Sequence, residues 1–198
     1  DGSSDNSIEI LESFSRFRPI EVLTRESRNQ GACKNFSSLM EYALDHGAKY
    51  VALCDQDDLW NRNKLATLLA HLKELEKKHQ GRPCLVYSDM SLIDRNDKPI
   101  SSSFMTTHGF TQDRFTLSNL LVHNQIPGCA MLFNRELLKL ATPVPDVCPM
   151  HDWWIALVAI TYGEVMMVTQ PLVGYRQHGG NEIGSLSVRS LLRKSPSH

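Results

Sequence analysis

Residues 48–60 read AKYVALCDQDDLW, a short apolar run followed at once by three crowded acids. Ala48 to Cys54 has the length and composition of a buried strand. Asp55, Asp57 and Asp58 come directly after it. Carboxylates set side by side repel one another unless a cation or hydrogen-bond donors neutralise them, and ligands of open α/β sheets bind beyond the carboxyl ends of strands. A divalent metal is the economical explanation. Mg²⁺ or Mn²⁺ takes one or two protein carboxylates and fills its remaining positions with water and phosphate oxygens, so a phosphate-bearing ligand is expected too. The competing explanation is that Asp57 or Asp58 caps the helix that follows, as acids before helices do.

On either side of this run, short apolar stretches alternate with helical periodicity, the pattern of an α/β fold with a mixed, mostly parallel sheet flanked by helices. Ile20 to Leu23, Cys84 to Ser88, Cys129 to Phe133, Val165 to Val168 and Leu172 to Arg176 are strand candidates. Ala32 to His46 reads as a helix ended by Gly47, where positive φ is easily adopted. Thr116 to His123 and His151 to Tyr162 are further helix candidates, the second apolar nearly all round and hence buried. From about Asn61, Leu65, Leu68, Leu69, Leu72 and Leu75 recur on one face at helical spacing, a core stripe.

With 198 residues, 41% of them apolar, the chain can bury one sizeable core, and a single domain over residues 1–184 with a basic tail over 185–198 is expected. Lys and Arg total 21 against 22 Asp and Glu, which gives no electrostatic argument for a nucleic-acid partner. No apolar run approaches the roughly 18 residues that a membrane-spanning helix requires. The cysteines, Cys33, Cys54, Cys84, Cys129 and Cys148, are odd in number, widely spaced and without a CxxC pair. They read as small buried residues of a protein from a reducing cytoplasm, not as a zinc or disulfide framework.

Five blocks, DGSSDNS, NQGACKNF, CDQDDLW, MHDWW and YRQHGGN, occur in this order between Asp1 and Asn181. Together they resemble the family 2 glycosyltransferases, and among these the rhamnosyltransferase-like members. The resemblance implies a glycosyltransferase-A type fold and an inverting transfer, by direct displacement, from a nucleotide diphosphate sugar to a saccharide or lipid-linked saccharide acceptor of the cell surface. It further implies roles for matched residues. Asp1 would contact the donor's base or ribose, Asp55 the ribose, and Asp57 the Mn²⁺ or Mg²⁺ ion, with His178 as a second ligand or diphosphate contact. Asp152, at the start of its helix, becomes the general base, the alternative being a simple helix cap. Trp153 and Trp154 divide between sugar stacking and core. Gly128 lets backbone approach the donor sugar, Lys34 pairs with phosphate or merely with an Asp, and Arg176 meets the acceptor or the diphosphate.

Family members begin with a strand before DGSSDNS, so the sequence is expected to lack the first strand, and an unpaired sheet edge would favour a homodimer. The tail sets Leu186, Leu191 and Leu192 beside Arg189, Arg193 and Lys194, a pattern that could rest on an anionic membrane at the inner face of the cell, or simply fray. Two rivals remain. A sugar-phosphate nucleotidyltransferase also joins an α/β sheet to acidic metal ligands, but characteristically carries a glycine-rich basic loop, which is not visible here. A non-catalytic carbohydrate-binding relative would not need the intact DQDD and HDWW strings.

Overall fold

The computed structural model describes residue 3 and residues 5–23, 29–111 and 115–177. The elements, in chain order, are α1 (Ser7–Ser15), α2 (Ala32–Asp45), β1 (Tyr50–Ala52), β2 (Leu59–Trp60), α3 (Lys64–Lys78), β3 (Cys84–Ile93), β4 (Pro99–Ser101), α4 (Phe104–His108), α5 (Leu117–Val122), β5 (Met131–Asn134), α6 (Arg135–Ala141), α7 (His151–Tyr162) and β6 (Glu164–Arg176).

Six strands form one mixed sheet in the order β1-β5-β3-β6-β2, with β4 added on β3. The sheet is mixed, as expected, but its balance differs. Only β3 and β6 run parallel, while β1 with β5, β5 with β3, β2 with β6 and β3 with β4 are antiparallel. The reason lies in the connections: β5 enters against β3, and α6 with α7 then supply the crossover that returns β6 beside β3 in the parallel sense.

Strand alternation distributes the core over two faces. Cys84 and Val86 of β3, Leu132 of β5 and Val168 and Leu172 of β6 meet Leu68, Leu72 and Leu75 of α3. Leu85 and Tyr87 of β3, with Met131 and Phe133 of β5, face Met40 of α2, Leu137 and Leu138 of α6 and Ile155 and Ala159 of α7. Nearly every residue of β3 is buried, which explains its unbroken apolar start.

Several sequence expectations are corrected here. Residues 20–23 form no strand; four apolar-rich residues gain nothing as a strand without a neighbour to pair with. The two strand candidates Val165 to Val168 and Leu172 to Arg176 are one strand, β6. The register jumps from Ser88↔Val168 to Asp89↔Pro171, so Thr169 and Gln170 bulge out beside a proline that lacks a ladder donor. Leu65 leaves the core stripe of α3 at 48% exposure, and the place four residues before Leu68 belongs to Lys64, which is completely buried. Asp57 and Asp58 do not cap α3: β2 intervenes, and the residue before the helix is Asn63. The sequence reading did not foresee the β3–β4 hairpin, whose turn is held by Asp94 Oδ1 accepting from the Asn96 and Lys98 amides at 2.8 and 2.9 Å. The basic tail, Asp1 and His178 lie outside the described residues.

Candidate active site

The acidic loop leaves β1 through Leu53 and returns as β2, whose Leu59 and Trp60 pair with Gly174 and Val173 of β6. This pairing brings the last residue of β6 under the loop. Arg176 N–H donates to Asp58 Oδ1 at 3.0 Å, and its guanidinium donates to the Asp57 carbonyl at 2.6 Å and the Asp94 carbonyl at 3.0 Å, and pairs with Asp97 at 2.7 Å. The guanidinium therefore braces the acidic loop and the β3–β4 turn instead of reaching toward an acceptor.

Within the loop, carboxylate oxygens of Asp55 and Asp58 and the Cys129 sulfur lie within 4.8 Å of one another. Asp57, the expected ligand, is outside this group. Burial first, then the charges of Asp58, Asp57 and Asp152, push the Asp55 carboxyl up to about 6. Asp58 is also raised, mainly by burial, and its Oδ2 is buried with no donor beyond the weak thiol of Cys129. Burial raises the Cys129 thiol well above its ordinary value, and its soft sulfur suits Mg²⁺ or Mn²⁺ less well than a carboxylate does. What remains is a pair of underused carboxylates. That donor set fits a hard divalent cation, with Asp55 and Asp58 as the protein ligands and open positions for phosphate oxygens.

Across from the loop stands Asp152, in the first turn of α7. Its Oδ2 accepts the Gly128 N–H at 3.0 Å and its Oδ1 the Trp153 N–H at 2.7 Å, and Asn124 adds a side-chain hydrogen bond. Desolvation outweighs these bonds and lifts the Asp152 carboxyl to about 6. It lies close enough to Asp55 for its charge to raise that group as well. Asp152 is not the residue that caps α7; that position is Met150, and the Asp152 carboxylate is turned to a separate segment, the 3-10 turn Gly128–Ala130. Space at Gly128 is tight. A Cβ on it would stand 3.2 Å from His151 Nε2 and 3.3 Å from Asp152 Cβ. Its part is thus to hold the carboxylate.

The remaining expected site residues are brought elsewhere. Trp153 and Trp154 are both half-buried against the core, and both indole N–H groups are taken by backbone carbonyls, of Leu120 at 2.6 Å and Ala141 at 3.0 Å. Both anchor α7 to its neighbours through these bonds. Lys34 is exposed and pairs with Asp146 at 3.3 Å, the second of its two alternatives.

The sequence reading missed Lys64. Its ammonium lies 3.2 Å from the centroid of the Trp60 ring and donates to the Cys129 carbonyl. Burial lowers its pKa to about 8, while Asp55 and Asp58 pull the other way. A signal was present: Lys64, Leu68, Leu72 and Leu75 share one helical stripe, and a lysine in an apolar stripe is rarely accidental.

A mixed sheet flanked by helices, with an acidic loop joining its edge strands near a half-buried carboxylate on a helix, is consistent with a glycosyltransferase-A type fold. Residues 1–140 match glycosyl transferase family 2, and the chain belongs to that family. The match includes the acidic loop and Gly128 and ends before Asp152. The chain is 24% identical over 199 residues to a dTDP-rhamnosyl transferase, RfbG, of Shigella flexneri, covering 93% of this chain and 63% of that protein. It thus spans somewhat under two thirds of the relative's length.

Proposed function

We propose that the chain transfers a sugar, rhamnose from a thymidine diphosphate donor being the leading candidate, to a hydroxyl of a saccharide or lipid-linked saccharide, with inversion at the anomeric carbon. The observation that carries this reading is the nearness of Asp152 to the Asp55/Asp58 pair: Asp152 is held by Gly128, the adjacent Cys129 lies against Asp55 and Asp58, and the charge of Asp152 acts on Asp55. The Asp152 carboxylate takes the proton of the acceptor hydroxyl as that oxygen attacks the anomeric carbon. The bond from that carbon to the diphosphate breaks, and the leaving oxygen keeps the electron pair. Mn²⁺ or Mg²⁺ held by Asp55 and Asp58, with Asp57 and His178 near the diphosphate, would offset the charge gathering on the leaving group. Gly128 and Asn124 keep the Asp152 carboxylate oriented, and Arg176 keeps the acidic loop in reach. Among the described residues no helix is long and apolar enough to cross a membrane. A place at the cytoplasmic face of the cell membrane, with peripheral membrane contact, and pairing into a homodimer are further parts of this proposal.

Calorimetric titration with UDP and TDP, with and without Mn²⁺, tests the donor side. Tighter binding of TDP with Mn²⁺, lost in Asp58→Asn and weakened in Asp57→Ala, is the expected result. Binding that ignores both Mn²⁺ and Asp58→Asn would sink the metal-assisted reading.

A further inference from the structure

We propose that Lys64 is a positioning residue: a built-in counter-ion that ties the acidic loop to the Gly128–Ala130 turn, so that the charge at this position governs how strongly the loop attracts a cation. The proposal deepens the reading above and rests on it for the cation, though not for the charge coupling.

A lysine with no exposed surface is unusual, because stripping water from an ammonium is costly unless something replaces it. Among the described residues Lys64 has no carboxylate at ion-pair distance. Its ammonium is instead held from two sides, by the π face of Trp60 in β2 and by the carbonyl of Cys129. Both partners belong to the site. Trp60 directly follows the acidic loop and Leu59, and Cys129 follows Gly128, whose N–H holds Asp152. The Cys129 sulfur in turn lies within 4.8 Å of the Asp55 and Asp58 oxygens. The buried ammonium is therefore close enough to Asp55 and Asp58 for their charges to act on it, and it offsets part of their repulsion from a place fixed by Trp60 and the Cys129 carbonyl. The stem runs from the first residue of α3 in line with Leu68 and Leu72, so the helix fixes where the charge stands.

The charge and its shape are separable. Lys64→Met keeps most of the stem and removes the ammonium. The test is a double-mutant cycle in thermal melts with EDTA present, combining Lys64→Met with Asp58→Asn. Lys64→Met alone is expected to lower Tm by about 5 °C or more, and in the Asp58→Asn background to lower it by less than half as much. Equal losses in both backgrounds, a rise in Tm on Lys64→Met, or failure of Lys64→Met to fold in both backgrounds alike would each overturn the proposal, since packing or desolvation would then govern. Folding of the double variant but not of Lys64→Met alone would support it. Mn²⁺ affinity, followed by electron paramagnetic resonance, gives a second readout. Lys64→Met is expected to bind Mn²⁺ on the order of tenfold more tightly, because one opposing charge has gone, and Lys64→Arg to keep the parent affinity. Mn²⁺ binding unchanged in Lys64→Met would count against the counter-ion. If the parent chain binds no Mn²⁺ at all, the metal-assisted reading falls, and the EDTA cycle still decides Lys64.

Discussion

Gly128 shows how little a single residue needs to carry to matter. It donates one N–H to Asp152 and contributes the space of an absent side chain. Contacts of 3.2 and 3.3 Å to an added Cβ are tight without being prohibitive, so Gly128→Ala is expected to fold, at a cost of about 1 kcal/mol. It would move the carboxylate by a few tenths of an ångström, and kcat should fall by about tenfold to a hundredfold, with the donor's binding constant little changed. Equal activity in steady-state assays would show that the carboxylate is not placed by this turn. Gly128 stood out in the sequence as a glycine before a strand. That its neighbour would be Asp152, 24 residues away, could not be read from it, because the approach depends on how α7 packs.

Individual elements are held together by a few saturated polar groups as much as by apolar contact. Asn134, the last residue of β5, is buried and uses its whole amide. Its Oδ1 accepts from the Cys84 and Leu137 amides, and its Nδ2 donates to Glu76 and to the Arg82 carbonyl. One side chain thus caps α6 and ties β5 to β3 and α3. Asn134→Ala would leave two buried N–H groups without acceptors, and the expected loss is about 2–4 kcal/mol, or about 5–15 °C in Tm by calorimetry. A loss under 1 °C would mean that water takes over those bonds.

The elements themselves were unevenly legible. α7 was read residue for residue, because its apolar surface runs all round and its ends are sharp. The end of α2 was read within one residue through Gly47, whose φ is 76°. Short elements such as β2 and β4 escaped, since two or three residues carry no periodicity and exist only because a neighbouring strand accepts them. The bulge within β6 divided one strand into two apparent ones for the same reason: continuity is set by β3, not by Thr169 and Gln170.

For the molecule as a whole, the near-balance of charge does not prevent local crowding of acids. Asp55, Asp57, Asp58 and Asp152 gather at one end of the sheet, and Asp55 is held near 6 against an ordinary value of 3.8. A carboxyl raised by folding binds its proton more tightly in the folded chain, so its ionised form opposes folding above the folded value and costs nothing once pH falls below the unfolded one. In EDTA, Asp55→Asn is therefore expected to melt above the parent at pH 7, and this advantage should fade as pH drops from about 6 toward 4. A constant difference across that range would show that Asp55 is not strained by its neighbours. Added Mn²⁺ should reverse the order at pH 7, because only the parent gains the binding energy.

The sequence by itself determined the class of fold, through the alternation of strand-length and helix-length apolar runs, and the composition of the acidic loop, because three adjacent carboxylates repel wherever they stand. It also determined Asp152 as a candidate, through the blocks shared with its family. Only the tertiary structure decided which carboxylates converge, Asp55 with Asp58 beside Cys129, and which residues support them. Arg176 and Lys64 act through hydrogen bonds to Asp58 and to the Cys129 carbonyl, 118 and 65 residues away in the chain. Such contacts arise from the pairing of β2 with β6 and from the packing of α3 on the sheet, and local sequence holds no record of the distances that close when those faces meet.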